Sequence, residues 1–441
     1  DAAMVNLVAD ASLGGGDLKT TLSYAHSENQ TLQDGDGTSF GFTHTGYRDV
    51  ATQYFAEVLY ASDPARHFTY VVGANVFDAR QTQNVAVPIA GLATGQDLNG
   101  DGAVDTLFNG RVLPTGDLVP VTVSLGGTVK TQSYAAFAHA QYEILPGAKV
   151  FVGGRYSHDA KKVDEYNNFL GAGSQQKSWS KFTYEAGLTY EFSSRVTGYA
   201  KYATGFKSGG YGVGSRGPAV DPEINANYEA GLKGAYLDGR LQANLAAFHM
   251  KYDDLQVSQV IGAASTLSNA AKATIDGAEV ELALRPGDRL RIDLAGPYTD
   301  ARFDDFLTQD SARPYLGLMN LAGNRLPQAP KWSGSAGVYY DTPAPEGTVT
   351  VAARYDWKSR MYFSEFNTEI SSQKAVGRLD LSLAYKSDDG RWTASLFATN
   401  VTDERIKNNV LIVSAVLGSL ADANYRPGRQ IGVSLGYLFR Q

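Results

Sequence analysis

The chain has 441 residues, of which 43% are hydrophobic and 19% charged, and its net charge is −7 at neutral pH. It contains no cysteine, which excludes disulfide scaffolds, thiolate catalysis and cysteine-based metal sites. The acidic balance argues against a nucleic-acid partner. No apolar run reaches the roughly 18 to 20 residues of a transmembrane helix, so any passage through a membrane must use strands.

Apolar residues recur at every second position along most of the chain, a pattern that predicts strands with one apolar and one polar face. On the strand around residue 380, we expect the leucines and Tyr385 to lie on the apolar face, which faces lipid if the sheet is a membrane barrel. We expect Arg378, Asp380 and Ser382 to face the lumen of that barrel. In chain order the alternating apolar positions include Val5, Leu7, Ala9, Ala11 and Leu13; Ala186, Leu188, Tyr190 and Phe192; Leu290, Ile292 and Leu294; Val349, Val351, Ala353 and Tyr355; and Leu379, Leu381, Leu383 and Tyr385.

The connections alternate between short turns and longer polar stretches. Tight turns at one rim and long loops at the other are typical of outer-membrane barrels. The alternative, a large soluble β-sandwich or propeller, lacks this alternation. The sequence therefore predicts an all-β, antiparallel transmembrane barrel. The turns lie at 14–16, 62–66, 145–148, 193–195, 238–239, 286–288, 343–347 and 387–390, and the long stretches near 28–48, 80–127, 158–178, 205–223, 252–268, 300–328, 360–374 and 402–425.

Eight hairpins and the final segment 425–439 predict about 17 strands. The first and last of these would point the same way, so we expect at least one further strand before Asp1. Transporters with plugged lumens have about 22 strands, which would place about five strands and the plug upstream of this chain. The start of the chain also lacks the basic and apolar regions of a signal peptide, so we expect earlier cleavage or a missing N-terminus. Pro297 removes a ladder donor inside a predicted strand, and we expect a β-bulge there.

Residues 97–105 read DLNGDGAVD and resemble a calcium loop, in which oxygen ligands recur at alternate positions. Position twelve is Phe108 rather than glutamate, which excludes a full EF-hand and favours the shorter Asp-x-Asn-x-Asp-Gly-x-x-Asp form. The alternative is a solvated acidic loop with Asx turns. We predict a Ca²⁺ site and no other cofactor; its ligands would be the side chains of Asp97, Asn99, Asp101 and Asp105 and the carbonyl of Ala103.

Other residues give weaker signals for chemistry. The six histidines have no metal-ligand spacing, and no nucleophile motif such as G-x-S-x-G occurs, so we predict no enzymatic activity. The stretch GFKSGGYG at 205–212 lacks P-loop spacing and a following helix, and we interpret it as a barrel loop. We interpret Tyr362, Phe363 and Phe366 as anchors at the membrane rim rather than ligand contacts.

The segment from Val196 to Gly234 reads VTGYAKYATGFKSGGYGVGSRGPAVDPEINANYEAGLKG. Its Tyr-rich strand, its Gly-Phe-Lys-Ser-Gly-Gly stretch and its Pro-Glu-x-x-x-x-Tyr-Glu-x-Gly-x-Lys strand resemble the barrel of TonB-dependent outer-membrane receptors. Three later segments resemble the same family: GNRLPQAPK from Gly323, NVTDE from Asn400 and YRPGR from Tyr425. The resemblance therefore covers most of the second half of the chain, and nothing in the chain resembles the family's plug domain or TonB-contacting segment.

The resemblance implies a bacterial outer-membrane location, contact with outer-membrane lipid, and active uptake of a scarce ligand. In this family, energy passes through TonB to the plug, and the commonest ligand is a siderophore-bound iron. Cobalamin, sugars and other metal chelates use the same barrel, so the ligand stays open. Because the plug is missing, we expect these residues alone to be unable to perform coupled uptake. The alternative function is a passive, porin-like or structural barrel.

Overall fold

The computed structural model describes residues 1–34, 44–89, 106–108, 111–113, 121–261, 264–412 and 421–439. Strands make up most of these ranges, and the helices within them are two short 3₁₀ turns, Leu237–Gly239 and Pro314–Leu316. Within the same ranges, no helix has both the length and the apolar character that a membrane span requires.

One antiparallel sheet of 19 segments dominates the fold, and its long strands pair in sequence order. Two of the segments, Leu290–Ala295 and Tyr298–Gln309, together form one strand, and a third, Leu318–Asn320, is a short addition at its end. The described residues therefore form 17 long strands, as the sequence predicts. They are β1 (Ala2–Leu13), β2 (Gly16–Asp34), β3 (His44–Ser62), β4 (Phe68–Ile89), β5 (Val121–Leu145), β6 (Ala148–Asn167), β7 (Gly171–Ser193), β8 (Val196–Lys207), β9 (Glu223–Tyr236), β10 (Leu241–Ile261), β11 (Ala264–Gly287), β12 (Leu290–Ala295 and Tyr298–Gln309), β13 (Ser333–Ala344), β14 (Gly347–Lys358), β15 (Val376–Ser387), β16 (Trp392–Thr399) and β17 (Gln430–Tyr437).

Short segments pair with one another or with the end of a long strand. Leu318–Asn320 pairs with the end of β12, and the remaining short strands form three two-stranded hairpins. These hairpins are Thr106–Phe108 with Arg111–Leu113, Met361–Tyr362 with Ser372–Gln373, and Lys407–Ile412 with Ala421–Tyr425.

The two faces of the sheet have opposite chemistry, as the period-two pattern predicts. On β15 the side chains of Leu381 and Leu383 are exposed, at 41% and 45% of their full accessibility. The opposite face of the same strand carries the ion pair between Arg378 and Asp380. We call the apolar side the outer face and the polar side the inner face. An exposed apolar outer face and a polar inner face are the arrangement of a membrane barrel, in which lipid rather than a second sheet covers the leucines.

The predicted bulge at Pro297 is wrong. Ala295 pairs with Glu281 and Tyr298 pairs with Ala278, so three residues advance on each strand and the register continues. Proline removes only its own donor, and its carbonyl still accepts a backbone hydrogen bond from β13 at 3.2 Å. The missing hydrogen bond interrupts the backbone ladder at Pro297 but shifts no side chain to the other face of the sheet.

Several of the predicted long loops are instead extensions of strands. The stretch 158–178 continues β6 to Asn167 and begins β7 at Gly171, so the connection is three residues long. Strands β10 and β11 extend in the same way to Ile261 and from Ala264. The sequence does not reveal these extensions because the outer face of a strand above the membrane contacts water instead of lipid. Neither face then requires apolar residues, while the backbone ladder continues.

Candidate functional site

The glycine-rich connection between β8 and β9, residues 208–222, folds onto the inner face of the sheet. Gly210 and Val220 pair across it, with an N–O distance of 2.9 Å, so the segment is a small hairpin, which we call the inner hairpin. A tight turn at its tip contains Gly214 at φ +80° and Arg216 at φ +59°. Glycine adopts this backbone region at little cost, which suits Gly214 to the turn. The interpretation of GFKSGGYG as a barrel loop is confirmed.

Side chains from the barrel wall hold the inner hairpin by its backbone. Five donors reach its carbonyl groups from β6, β7, β10 and β11, and the amide of Gly214 donates to the buried carboxylate of Glu165 at 2.8 Å. Bonds to backbone groups fix the path of the segment without depending on most of its own side chains. The five donor–carbonyl contacts are Lys161 to Gly209 at 2.7 Å, Asn167 to Gly214 at 2.9 Å, Gln175 to Gly217 at 3.0 Å, Gln256 to Ser208 at 3.1 Å and Asn269 to Asp221 at 2.8 Å.

The C-terminal end of the inner hairpin carries one ion pair. The Asp221 carboxylate accepts hydrogen bonds from Lys177 at 2.7 Å and from the Trp179 indole at 3.4 Å. The hydrogen bond from Lys177 is the main reason that the pKa of Asp221 lies below its usual value. The same Trp179 ring packs over Gly209, where an added Cβ would lie only 2.4 Å from the ring. The hairpin is therefore fixed both by charge and by close contact.

Three further loops join into a layer above the other half of the barrel. They connect β12 to β13, β14 to β15 and β16 to β17. The first two exchange hydrogen bonds through Asn324, Arg325 and Asn367, and the last two through Lys407 and Gln373. A buried apolar cluster of Ala271, Phe303, Phe306 and Leu321 supports this layer, with Phe306 completely buried. These contacts give the loops a defined arrangement on the strands beneath them.

A cleft of about 390 Å³ opens between these loops. Its apolar wall includes Phe366, Ile370 and Ile412, and its charged wall includes Asp310 and Arg313. The buried Asp310 accepts hydrogen bonds from the Ala312 amide at 2.9 Å and from Arg313 Nε at 2.7 Å. The Arg313 side chain keeps 36% of its exposure. The cleft can therefore offer one positioned cation beside an apolar surface.

The interpretation of the loop aromatics as rim anchors is wrong for two of them. Phe363 is 9% exposed and belongs to a buried cluster with Met361 and Val410. Phe366 packs against the cluster around Phe306. Both rings lie within the loop layer and contribute to the cleft, because the loops fold over one another rather than spreading toward the membrane.

The segment NVTDE, residues 400–404, joins neighbouring strands through hydrogen bonds and is not a ligand site. The backbone amide of Asn400 donates to Asp380 at 2.8 Å, and its buried side chain bonds both backbone groups of Glu404. Asp403 accepts the backbone amide of Arg429 at 2.8 Å. These contacts join the first half of β15 and the end of β16 to the segment just before β17. Asn400 and Asp403 both have positive φ, which asparagine and aspartate tolerate better than most residues.

The predicted calcium ligands, Asp97, Asn99, Asp101, Ala103 and Asp105, all lie outside the described residues. In the ranges that are described, no three His, Asp or Glu side chains gather in a way that could hold a metal ion. The Ca²⁺ site therefore stays a prediction.

The sequence analysis missed Asp310 and Arg313. They stand in the segment DSARP, where an aspartate precedes an arginine by three residues and a proline follows. Such a segment is typical of a turn whose aspartate caps backbone amides and pairs with the arginine. The pattern is frequent in loops, and its position beside the Phe366 loop is not visible in the sequence.

Residues 1–401 match the protein-family model described as TonB dependent receptor-like, beta-barrel. The chain belongs to this family. Its members are receptors and transporters of the bacterial outer membrane, and the chain is an outer-membrane barrel. This agrees with the separation of apolar outer and polar inner faces.

Two relatives show how far the sequence similarity extends. The chain is 26% identical over 319 residues to the pesticin receptor of Yersinia pestis, covering 71% of this chain and 44% of the relative. It is 32% identical over 187 residues to the metal-pseudopaline receptor CntO of Pseudomonas aeruginosa, covering 42% of this chain and 24% of the relative. The chain therefore spans less than half the length of either relative.

Solved structures show the same fold at lower identity. The ferric yersiniabactin uptake receptor FyuA from Yersinia pestis superposes with a TM-score of 0.81 at 19% identity, covering all of this chain and 61% of that chain. The siderophore receptor PiuA from Acinetobacter baumannii gives a TM-score of 0.75 at 18% identity, covering 99% and 64% respectively. At these identities the superpositions show a shared fold.

Proposed function

We propose that the protein containing this chain is a receptor for active uptake of an iron–siderophore complex across the outer membrane. The observation that carries this proposal is that several relatives are named as receptors for ferric complexes, among them the ferric-pyoverdine 358 receptor of Pseudomonas putida and the ferripyoverdine receptor of Pseudomonas aeruginosa. We further propose that TonB, which the family name includes, supplies the energy for uptake, and that a plug domain transmits it. No catalytic role is proposed.

The cleft between the loops suits this type of ligand. Siderophore complexes present oxygen-rich, often anionic surfaces around the metal together with organic backbone. Arg313 offers a charge-assisted hydrogen bond that is already oriented by Asp310, and Phe366 and Ile370 offer apolar contact. The alternative function, a passive pore, gains no support from the inner hairpin, because this segment lies on the inner face where a pore would need open space.

Ligand titration of the purified full-length receptor tests the proposal. Ferric siderophores of the hydroxamate, catecholate and mixed classes are added, and quenching of tryptophan fluorescence is measured. We expect one class to bind, and Arg313→Gln to weaken its binding about tenfold or more, the usual value of a charge-assisted hydrogen bond. Arg360→Gln is the control, because Arg360 pairs with Glu369 in the same loop layer and does not line the cleft. If no ferric chelate binds, or if both variants weaken binding equally, the proposal is wrong.

A further inference from the structure

Three cations form a direct cross-strand row on the outer face. Arg80 on β4 lies opposite Lys130 on β5, and Lys130 lies opposite Lys162 on β6. Their outward direction follows from the alternation along each strand: on β4, for example, the exposed Val76 occupies the same face as Arg80. Directly opposite residues on adjacent strands lie about 5 Å apart at Cβ. We call these three residues the basic row.

The basic row lies just beyond the apolar band of the membrane-facing surface. The last large apolar side chains before it are Val76 on β4 and Tyr134 on β5, each four residues away. Four residues extend about 13 Å along a strand, or about 10 Å along the membrane normal at the usual barrel tilt. The lipid headgroup region adds about 5 to 7 Å beyond the hydrocarbon on each side. Long Arg and Lys side chains can therefore reach the level of the lipid headgroups.

The basic row lacks enough carboxylates to balance it. Lys162 pairs with Asp164 at 3.0 Å. The nearest other outward acid on these strands, Asp78, accepts a hydrogen bond from Gln132 at 3.2 Å. Lys130 shares the same Asp164 through a longer-range attraction, and within the described ranges neither Arg80 nor Lys130 has a carboxylate oxygen within 4.0 Å.

On the outer face of β10 to β12, two basic side chains contact carboxylates directly. On β10 to β12, His249 contacts Asp276 at 2.7 Å, and Arg302 pairs with Asp300 at 2.9 Å. The row of three aligned cations thus distinguishes the outer face of β4, β5 and β6 from that of β10 to β12. Like charges directly opposite one another destabilise a sheet, so three aligned cations favour a bound counter-anion.

We propose that the basic row binds the phosphate groups of outer-leaflet lipids. Two observations select a lipid over a soluble anion. The row lies on the same face of the sheet as the membrane-facing apolar side chains, about 10 Å beyond the last of them along the membrane normal, and a phosphate attached to a lipid is held at this height by its own acyl chains. A planar guanidinium and two ammonium groups provide the donors that phosphate oxygens accept. The lipid would fix the orientation of β4 to β6 in the membrane, whatever ligand the receptor transports.

Native mass spectrometry of the full-length receptor tests this proposal. The probes are bisphosphorylated lipid A, the same lipid without phosphates, and inorganic phosphate. We expect a saturable site for bisphosphorylated lipid A and none for the lipid without phosphates. Each cation near a membrane surface contributes about fivefold in affinity, so the triple variant Arg80→Gln, Lys130→Gln, Lys162→Gln should bind on the order of 100-fold more weakly.

Lys251→Gln is the matched control, because Lys251 is an outward lysine on β10 that lies opposite Ala226 and Thr274 rather than other cations. It should bind like the wild type. Lys130→Gln alone should weaken binding about fivefold and decides the result if the triple variant does not fold. Four outcomes overturn the proposal: equal binding by wild type and charge variants, equal loss in Lys251→Gln, equal binding of the lipid without phosphates, or displacement by inorganic phosphate at equal concentration.

Discussion

Substitution of Gly209 by alanine should release the inner hairpin from the barrel wall. A Cβ at this position would lie 2.2 Å from the Val220 carbonyl oxygen and 2.4 Å from the Trp179 ring, closer than non-bonded atoms approach. Backbone cannot move aside as a flexible side chain can, so the hairpin must shift. Overpacking of this kind costs about 1 to 3 kcal/mol, which corresponds to a roughly 5- to 150-fold change in the docking equilibrium.

Hydrogen exchange followed by mass spectrometry measures this change directly. Amides of residues 208–222 should exchange roughly 5- to 150-fold faster in Gly209→Ala. Amides in β14 should keep their protection, because only the inner hairpin detaches from the barrel wall. Gly217→Ala is the control, since its Cβ would meet only Ser215 Oγ at 3.4 Å, an ordinary contact. Unchanged exchange in Gly209→Ala, or an equal increase in Gly217→Ala, would refute the close packing described for the hairpin.

Three further predictions concern the faces of the barrel, the hairpin and the acidic loop. Leu383→Arg should destabilise the barrel by about 2 to 4 kcal/mol in lipid vesicles and Ser382→Arg far less, because only the leucine faces lipid; equal losses would contradict the assignment. The lowered pKa of Asp221 stabilises the docked hairpin above the ordinary carboxyl pKa, and this stabilisation is lost as pH falls through the lowered value. The protection of amides 208–222, which is the intrinsic exchange rate at each pH divided by the observed rate, should therefore be constant from pH 7 to about 5 and fall at more acidic pH, with Asp221→Asn showing no such fall. Calorimetry with calcium should give heat for the wild type and none for Asp101→Ala; equal heats, or none in either, would leave only a solvated acidic loop.

The strands were predictable because their signal is local. A period of two in residues such as Leu379, Leu381 and Leu383 is enough to assign both the strand and its lipid-facing side. The short turns followed from Gly, Pro, Asp and Ser in the same way. Where strands continue above the membrane, as in β6 and β7, one face no longer needs apolar residues, so the local signal ends before the strand does.

The inner hairpin and the cleft were not predictable, because their contacts join residues far apart in sequence. Asn269 holds Asp221 across 48 positions, and Asn367 holds Arg325 across 42. No periodicity marks such pairs in one sequence. Pro297 shows the opposite error: a residue with a strong local preference suggested a bulge, and pairing on both sides kept the register.

Uptake by living cells tests the proposed function most directly. The full-length receptor is expressed in bacteria that lack their own receptors for the chosen siderophore, and accumulation of its radiolabelled iron complex is measured. We predict accumulation that requires TonB, stops when the proton gradient is collapsed, and falls in Arg313→Gln but not in Arg360→Gln. Accumulation that continues without TonB or the gradient would identify a passive barrel and contradict the account.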